Sequence, residues 1–251
     1  MLKPIGTMIV PVATAIYSAR LASTVRDSLG VRRAVVVGDG PVALINSIVF
    51  RLSGYRSVLM IHGSSPRYRW AVDHGYFETS DVISRTSSVA DTVVGNLGGI
   101  GPEAVVVCTS AEAVEQSALD ALAYLKPGGL INFVSASNPS VISLPGGDVN
   151  LSELQRRNNS GVPNAGAFQE FVLSTGKSVK MSGQRGISLT DLQASIELLS
   201  GNPQPFKSLI TDVVEIDKAV PFIESCVDWA LGRRSGSRPM KAVIELNKDV
   251  F

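Results

Sequence analysis

Cysteine and histidine are scarce in this sequence: Cys108 and Cys226 are its two thiols and His62 and His74 its two imidazoles among 251 residues. Two cysteines exclude a disulfide framework and a zinc knuckle built from thiolates alone. Two histidines leave little with which to complete a metal site. Net charge is nearly absent as well, 23 Lys and Arg against 22 Asp and Glu leaving +1. That excludes the broad basic field that attracts nucleic acid or an anionic membrane. Charged residues make up 18% and hydrophobic ones 45%, a balance that buries a core and argues against disorder. The length suits one large domain, or one domain and a fragment of another.

Long apolar runs are missing too, although residues 1–22 imitate a signal peptide, with Lys3 as the charged part and residues 5–17 as the apolar part. Pro4 and Pro11 interrupt that run and Thr7 and Thr14 dilute it, so no stretch is expected to reach membrane-spanning length. From Val12 on, Ala15, Ile16, Ala19, Ala22, Val25 and Leu29 recur at helical spacing, and Gly30 is placed to end the helix. The segment reads as a packing helix in a cytoplasmic protein that spans no membrane.

What is present begins at Arg33. Residues 33–38, Arg-Ala-Val-Val-Val-Gly, form the short β-branched run of a parallel strand buried on both faces. It leads into Gly38-Asp39-Gly40-Pro41-Val42-Ala43 and then an apolar helical stretch, residues 44–52. This is a G-x-G-x-x-A turn between strand and helix. Gly38 permits the tight turn, Gly40 lets the backbone approach a pyrophosphate, and Ala43 keeps the helix near the sheet. The helix N-terminus offers free N–H groups and a positive dipole end to phosphate. Alone, the motif is also an ordinary tight turn. Its context adds weight: a strand at 57–62, a strand at 104–109 before a helix at 111–125, and a strand at 129–136. Such alternation specifies an α/β fold, a doubly wound parallel (Rossmann) sheet. The expected divisions are an opening segment with its packing helix, 1–30, the dinucleotide fold, 31–186, and a C-terminal helix-strand-helix-strand extension, 187–251.

The end of the second strand bears on which dinucleotide. A site preferring NAD places Asp or Glu there to hold the ribose hydroxyls. This chain has His62-Gly63-Ser64-Ser65-Pro66-Arg67 instead. Without a carboxylate nothing repels a 2′-phosphate; Ser64 and Ser65 can donate to it, and Arg67 or Arg69 can pair with its charge. NADP is therefore favoured over NAD. The same residues also read as a polar turn capping the next helix, with Ser65 as N-cap and Pro66 at its first position.

The order of these pieces resembles the medium-chain dehydrogenase/reductase family, particularly its zinc-dependent polyol and sugar dehydrogenases. The residues that carry the resemblance are 10–17 (Val-Pro-Val-Ala-Thr-Ala-Ile-Tyr), 35–43, Leu125-Lys-Pro-Gly-Gly129, Gly183-Gln-Arg-Gly186, 209–214 and 241–246, in order from near residue 10 to about residue 247. In that family a catalytic domain carrying the zinc ligands and most of the substrate pocket precedes the nucleotide domain, and this chain begins where that domain would be ending. A family Glu at the Val10 position is missing, and neither Cys108 nor Cys226 has a histidine near it in sequence, so no catalytic zinc is expected. Buried small hydrophobes are the simpler reading of both cysteines. The resemblance further implies a homodimer joined edge to edge through a strand at 178–182. Strands equivalent to 209–216 and 242–246 leave the nucleotide fold in relatives; here they need each other, residues 4–12 or another chain as partners.

Ligands of doubly wound folds lie beyond the carboxyl ends of the strands. There the sequence offers Cys108, Thr109 and Ser110, then Ser135 and Ser137. By the resemblance, Thr109, Ser110 and the Ser135 region line the nicotinamide side and Arg185 lies near the cofactor. The plainer readings are a cap for the helix at Ala111 and a strand end. Residues 144–176, long and polar, are either functional or flexible, with residues 151–158 as a short helix of a possible lid. No catalytic residue is identifiable. The expected activity is hydride transfer between NADP(H) and a small alcohol, polyol or ketone without zinc. The alternative is a nucleotide-binding subunit or scaffold without catalysis of its own, for which a partner chain replaces the missing domain.

Overall fold

The computed structural model describes residues 4–25, 30–63, 67–86, 88–134, 140–158, 167–231, 233 and 239–246. By contacts they fall into two units, Val10–Ser195 and Met1–Ile9 with Ile196–Phe251.

The longer unit opens with α1 (Ile9–Ser23). The helix starts ahead of Val12 because Pro11 sits in its first turn, where the N–H it lacks has no intrahelical partner to lose. With the short 3-10 turn Ile5–Met8 before it, the helical run is 19 residues, long and apolar enough to cross a membrane by length and composition. The expectation of no such stretch is corrected there. The run is nonetheless 56% buried inside the protein.

The sheet follows: β1 (Arg33–Val37), α2 (Pro41–Leu52), β2 (Ser57–His62), α3 (Arg67–Asp73), β3 (Val82–Ser84), α4 (Val89–Asn96), β4 (Ala104–Val107), α5 (Val114–Tyr124), β5 (Leu130–Phe133), the hairpin β6 (Val141–Leu144) and β7 (Gly147–Asn150), α6 (Leu151–Arg157), β8 (Gln169–Val172) and β9 (Ser178–Gly183). Its order is β3-β2-β1-β4-β5-β9-β8, every neighbour parallel except β8, which runs antiparallel to β9. Up to β9 this is the 3-2-1-4-5-6 order of a doubly wound dinucleotide fold. The outer side of β9, expected to lie open for pairing, is covered by β8.

Register explains the burial. Leu59, Val35, Val105, Ile131 and Met181 stand in one row across one face, and all are buried. Each such side chain contributes about 2 kcal/mol. One residue on, the opposite face carries Met60, Val36, Val106, Asn132 and Ser182, apolar at one end of the row and polar at the other. The long polar stretch 144–176 contains β7, the short helix expected at 151–158, which is α6, and β8; Leu151 and Leu154 of α6 are buried in the core. A helix held by its apolar face is no free lid. The backbone of α6 comes so near β9 that a Cβ on Gly183 would lie 3.1 Å from the Gln155 nitrogen.

The smaller unit contains the end of α7 (Leu189–Gly201), α8 (Pro203–Lys207), β10 (Ile210–Glu215), α9 (Ala219–Ala230) and β11 (Lys241–Glu245). The two strands pair with each other, in parallel, with a register irregularity between Ile210 and Asp212. Of the partners open to them from the sequence, each found the other.

Candidate functional site

The turn after β1 has the geometry its glycines require. Gly38 N–H donates to Ile61 O at 2.8 Å and Cys108 N–H to Val37 O at 2.8 Å, so the ladder of β2, β1 and β4 runs to the carboxyl end of the sheet. Gly38 lies at φ +128, and a Cβ there would stand 2.7 Å from the carbonyl oxygen of Cys108. Only glycine fits. Gly40 is the N-cap of α2, in extended conformation and without a side-chain cap, and Pro41 follows in the first turn. The first amides of α2 therefore face outward, as a phosphate-binding turn needs. Val42 is exposed, while Ala43 is buried and lets α2 lie against the sheet. Asn46 fastens the turn from beneath, its amide donating to Val42 O at 2.8 Å and to Cys108 Sγ at 3.8 Å.

At the end of β2 the His62 ring stacks on Tyr68, centroids 3.9 Å apart, and its Nδ1 lies 2.6 Å from Gly63 O. Arg67, the first residue of α3, reaches back over the turn. Its Nη1 is 3.7 Å from where a Cβ on Gly40 would stand. A guanidinium thus lies beside the glycine turn. Arg69 points elsewhere, exposed, with Nε donating to the Tyr68 hydroxyl at 3.2 Å. Ser64 and Ser65 lie outside the described residues, as do Ser135 and Ser137.

At the end of β4, burial pushes the Cys108 thiol well above its usual range, so it stays protonated and acts as a small hydrophobe. Thr109 Oγ1 is buried with no hydrogen-bond partner among the described residues. It is no cap. Ser110 precedes the 3-10 turn Ala111–Ala113 without capping its backbone. Its hydroxyl instead bonds Glu112, whose carboxyl its own backbone N–H and then Ser110 hold below the ordinary range. Arg185 stands exposed past β9, its N–H donating to Asn158 O at 3.2 Å. The structure therefore brings Gly38, Gly40, Pro41, Val42, Arg67, Cys108 and Thr109 around one turn, with His62 and Gly63 at the adjoining strand end.

A second cluster lies beneath α1, with no local signal to mark it in advance. Asn132 donates to Ser18 Oγ and to Gln184 Oε1, both at 3.0 Å; Ser18 also bonds Gln184 at 2.9 Å, and Gln184 returns a bond to Thr14 O. Tyr17 donates to Asn158 Oδ1, and the Asn158 amide donates to Ser182 Oγ and Gly183 O. Burial outweighs these bonds and raises the Tyr17 pKa. Nearby, Arg20 pairs with the buried Asp191 at 2.5 Å, and Asp191 N–H is capped by Ser188 Oγ at 3.0 Å. Period-3.6 spacing marked Ala15 and Ala19 of α1 as packing residues, but nothing in it marks Tyr17 and Ser18 as partners of residues far along the chain.

A nicotinamide dinucleotide fits the first cluster: a turn only glycine can make, outward amides at a helix start, a cation beside them and an unpartnered buried hydroxyl. Among the described residues no three His, Cys, Asp or Glu side chains gather as a metal site.

No protein-family profile matches the chain. Sorbitol dehydrogenase from Gallus gallus is 27% identical over 140 residues, 56% of this chain and 37% of its own. D-xylulose reductase from Scheffersomyces stipitis is 27% identical over 134 residues, 53% of this chain and 34% of its own. The chain thus spans well under half the length of these curated relatives. Among solved structures, alcohol dehydrogenase TADH from Thermus sp. ATN1 superposes with a TM-score of 0.62 over 96% of this chain and 58% of its own, at 17% identity.

Proposed function

From this homology with sorbitol and xylulose dehydrogenases, and the order of pieces characteristic of medium-chain dehydrogenases and reductases, we propose that the chain binds a nicotinamide dinucleotide and belongs to an oxidoreductase acting on a small alcohol, polyol or matching ketone. The observation that carries the reading is the Gly38–Gly40 turn, open toward the first amides of α2 with Arg67 beside it. When bound, the nicotinamide supplies hydride chemistry. This chain's own part is to hold the pyrophosphate on the amides of α2, to neutralise charge with Arg67, and to offer the Thr109 hydroxyl at the end of β4.

NADP is the favoured form. His62-Gly63 ends β2 where a carboxylate would refuse a 2′-phosphate, and the Arg67 guanidinium beside Gly40 supports the reading with a positive charge near the same turn. The substrate is a small molecule rather than nucleic acid or membrane lipid, and the location cytoplasmic. A homodimer and a partner chain supplying further catalytic groups belong to the same reading.

A second reading, nucleotide binding without catalysis by this chain alone, is favoured by one feature. Asn132, Ser182 and Gln184, at or near the carboxyl ends of β5 and β9, are buried and bonded to one another and to α1. Groups so engaged do not take up a proton from substrate. Titration with NADPH and with NADH, read by nicotinamide fluorescence and followed by a panel of ketones and polyols, separates the two. Binding with oxidation supports the enzyme, binding without turnover supports the second reading, and no binding of either nucleotide rejects both. Arg67→Glu is expected to weaken NADPH by about tenfold or more relative to NADH; equal losses would remove the 2′-phosphate assignment.

A further inference from the structure

At the end of β2, where a nucleotide site of this fold ordinarily places a carboxylate, stands His62. Across the ladder Gly38 N–H donates to Ile61 O at 2.8 Å, so His62 is the next residue along from the glycine turn. Alternation along β2 sets its side chain on the face of Met60, opposite Leu59 and Ile61, which lie in the core with α4 and α5. The ring stacks there on Tyr68 of α3, planes 18° apart, and the same helix places Arg67 beside Gly40. Stacking and burial, with 8% of the residue exposed, fix the orientation of the imidazole.

The contact at Nδ1 decides the chemistry left at Nε2. A carbonyl oxygen only accepts, so the 2.6 Å contact with Gly63 O puts the proton of the neutral ring on Nδ1. Nε2 then carries a lone pair, and among the described residues nothing is bonded to it. A carboxylate can only accept from a ribose. An imidazole held this way accepts at Nε2 while neutral and donates there, with a full positive charge, once protonated. We propose that His62 reads the adenosine ribose in both senses: the neutral ring accepts from a 2′-hydroxyl, and the imidazolium pairs with a 2′-phosphate. This rests on the nucleotide reading above and adds to it a discriminating residue whose preference moves with pH. The charged and titratable groups on the elements around the ring are Arg67, Tyr68 and Arg69 of α3, Asp39 of the glycine turn and Arg85 after β3. Arg69 bonds the Tyr68 hydroxyl, and Arg85 pairs with Asp120 at 2.8 Å. Arg67 is a cation throughout and favours the 2′-phosphate at every working pH. Imidazole is the side chain that changes charge between about pH 5 and 8, whereas carboxylates, phenols and guanidiniums ordinarily do so outside that interval. The pH-dependent part therefore falls to His62.

The probes are ADP-ribose and its 2′-phosphate, which carry the adenosine end without hydride chemistry. Each is titrated into the full chain by calorimetry at about pH 6 and about pH 8.5. The ratio of affinities, 2′-phosphate over hydroxyl, is expected to fall about tenfold as pH rises. The last proton of the phosphate itself leaves at about pH 6, which pulls that ratio upward, so the ligand cannot account for a fall. His62→Asn offers an amide donor in place of Nδ1 and cannot become a cation; its ratio should not fall. His62→Asp should favour ADP-ribose by about tenfold more than the unsubstituted chain does at pH 6. A ratio that does not fall in the unsubstituted chain, or that falls equally in His62→Asn, overturns the proposal and leaves nucleotide binding standing. Binding of neither probe overturns the nucleotide reading and this one with it.

Discussion

Strands β4 and β10 are both short and rich in valine, yet they live under different conditions. All four residues of β4 are buried, between strands on either side and helices on either face. Among the described residues strand β10 has a single sheet partner, and Val213 in its middle is half-exposed. Seven strands bury both faces of a parallel sheet and supply most of its driving force. Two strands cannot. The lesson is that β-branched composition makes a strand, but the number of neighbours decides how much stability it contributes.

The sharpest way to break this comparison is amide exchange. Amides of β1 and β4 should exchange only through global unfolding, and those of β10 and β11 orders of magnitude sooner; equal protection would show that the smaller sheet is as firmly held. Next in size is Gly38→Val, which forces a Cβ onto the Cys108 carbonyl at a left-handed φ. It should cost about 3 kcal/mol in urea unfolding and abolish nucleotide binding. Asn158→Ala leaves the buried Tyr17 hydroxyl without its acceptor and Gly183 O without the Asn158 amide, and should cost about 2–3 kcal/mol, whereas Tyr17→Phe should cost about 1–2.

One substitution made twice compares the regions directly. Val106→Ala should destabilise by about 2 kcal/mol, and Val213→Ala by no more than about 0.5. Smallest is a pH effect. Burial raises the Cys108 thiol in the folded chain, so its contribution is complete below the ordinary thiol range, about 8.5, and is lost as pH rises above it, when only the unfolded chain ionises. Urea midpoints should therefore fall between pH 8 and pH 10, and less steeply in Cys108→Ala. In the native protein at pH 8, Cys108 should also resist alkylation.

Much of the architecture was legible because it rests on local rules. The run before Gly38 reads as a buried strand, and G-x-G-x-x-A, set in its strand–helix context, as the tight turn that its φ and its distance to Cys108 now explain. The expected helix at 111–125 is present, with its first three residues wound as a 3-10 turn. The short helix expected at 151–158 is present as α6, but its burial and the hairpin before it were not foreseen. The hairpin is fixed by pairing of its two strands and by packing on the core, which no local spacing announces.

Of the site, Arg67, Cys108 and Thr109 were named in advance beside the turn's own residues. That Arg67 reaches over Gly40, that the Thr109 hydroxyl is buried with no partner among the described residues, and the polar cluster under α1 were not. Composition, charge and the strand–turn–helix order determined by themselves that this chain is a dinucleotide-type α/β protein, because those features act within a few residues. Only the folded chain decided that Tyr17 meets Asn158 and that β8 covers β9. Those contacts join residues far apart in the chain, and it is burial, not spacing, that selects them.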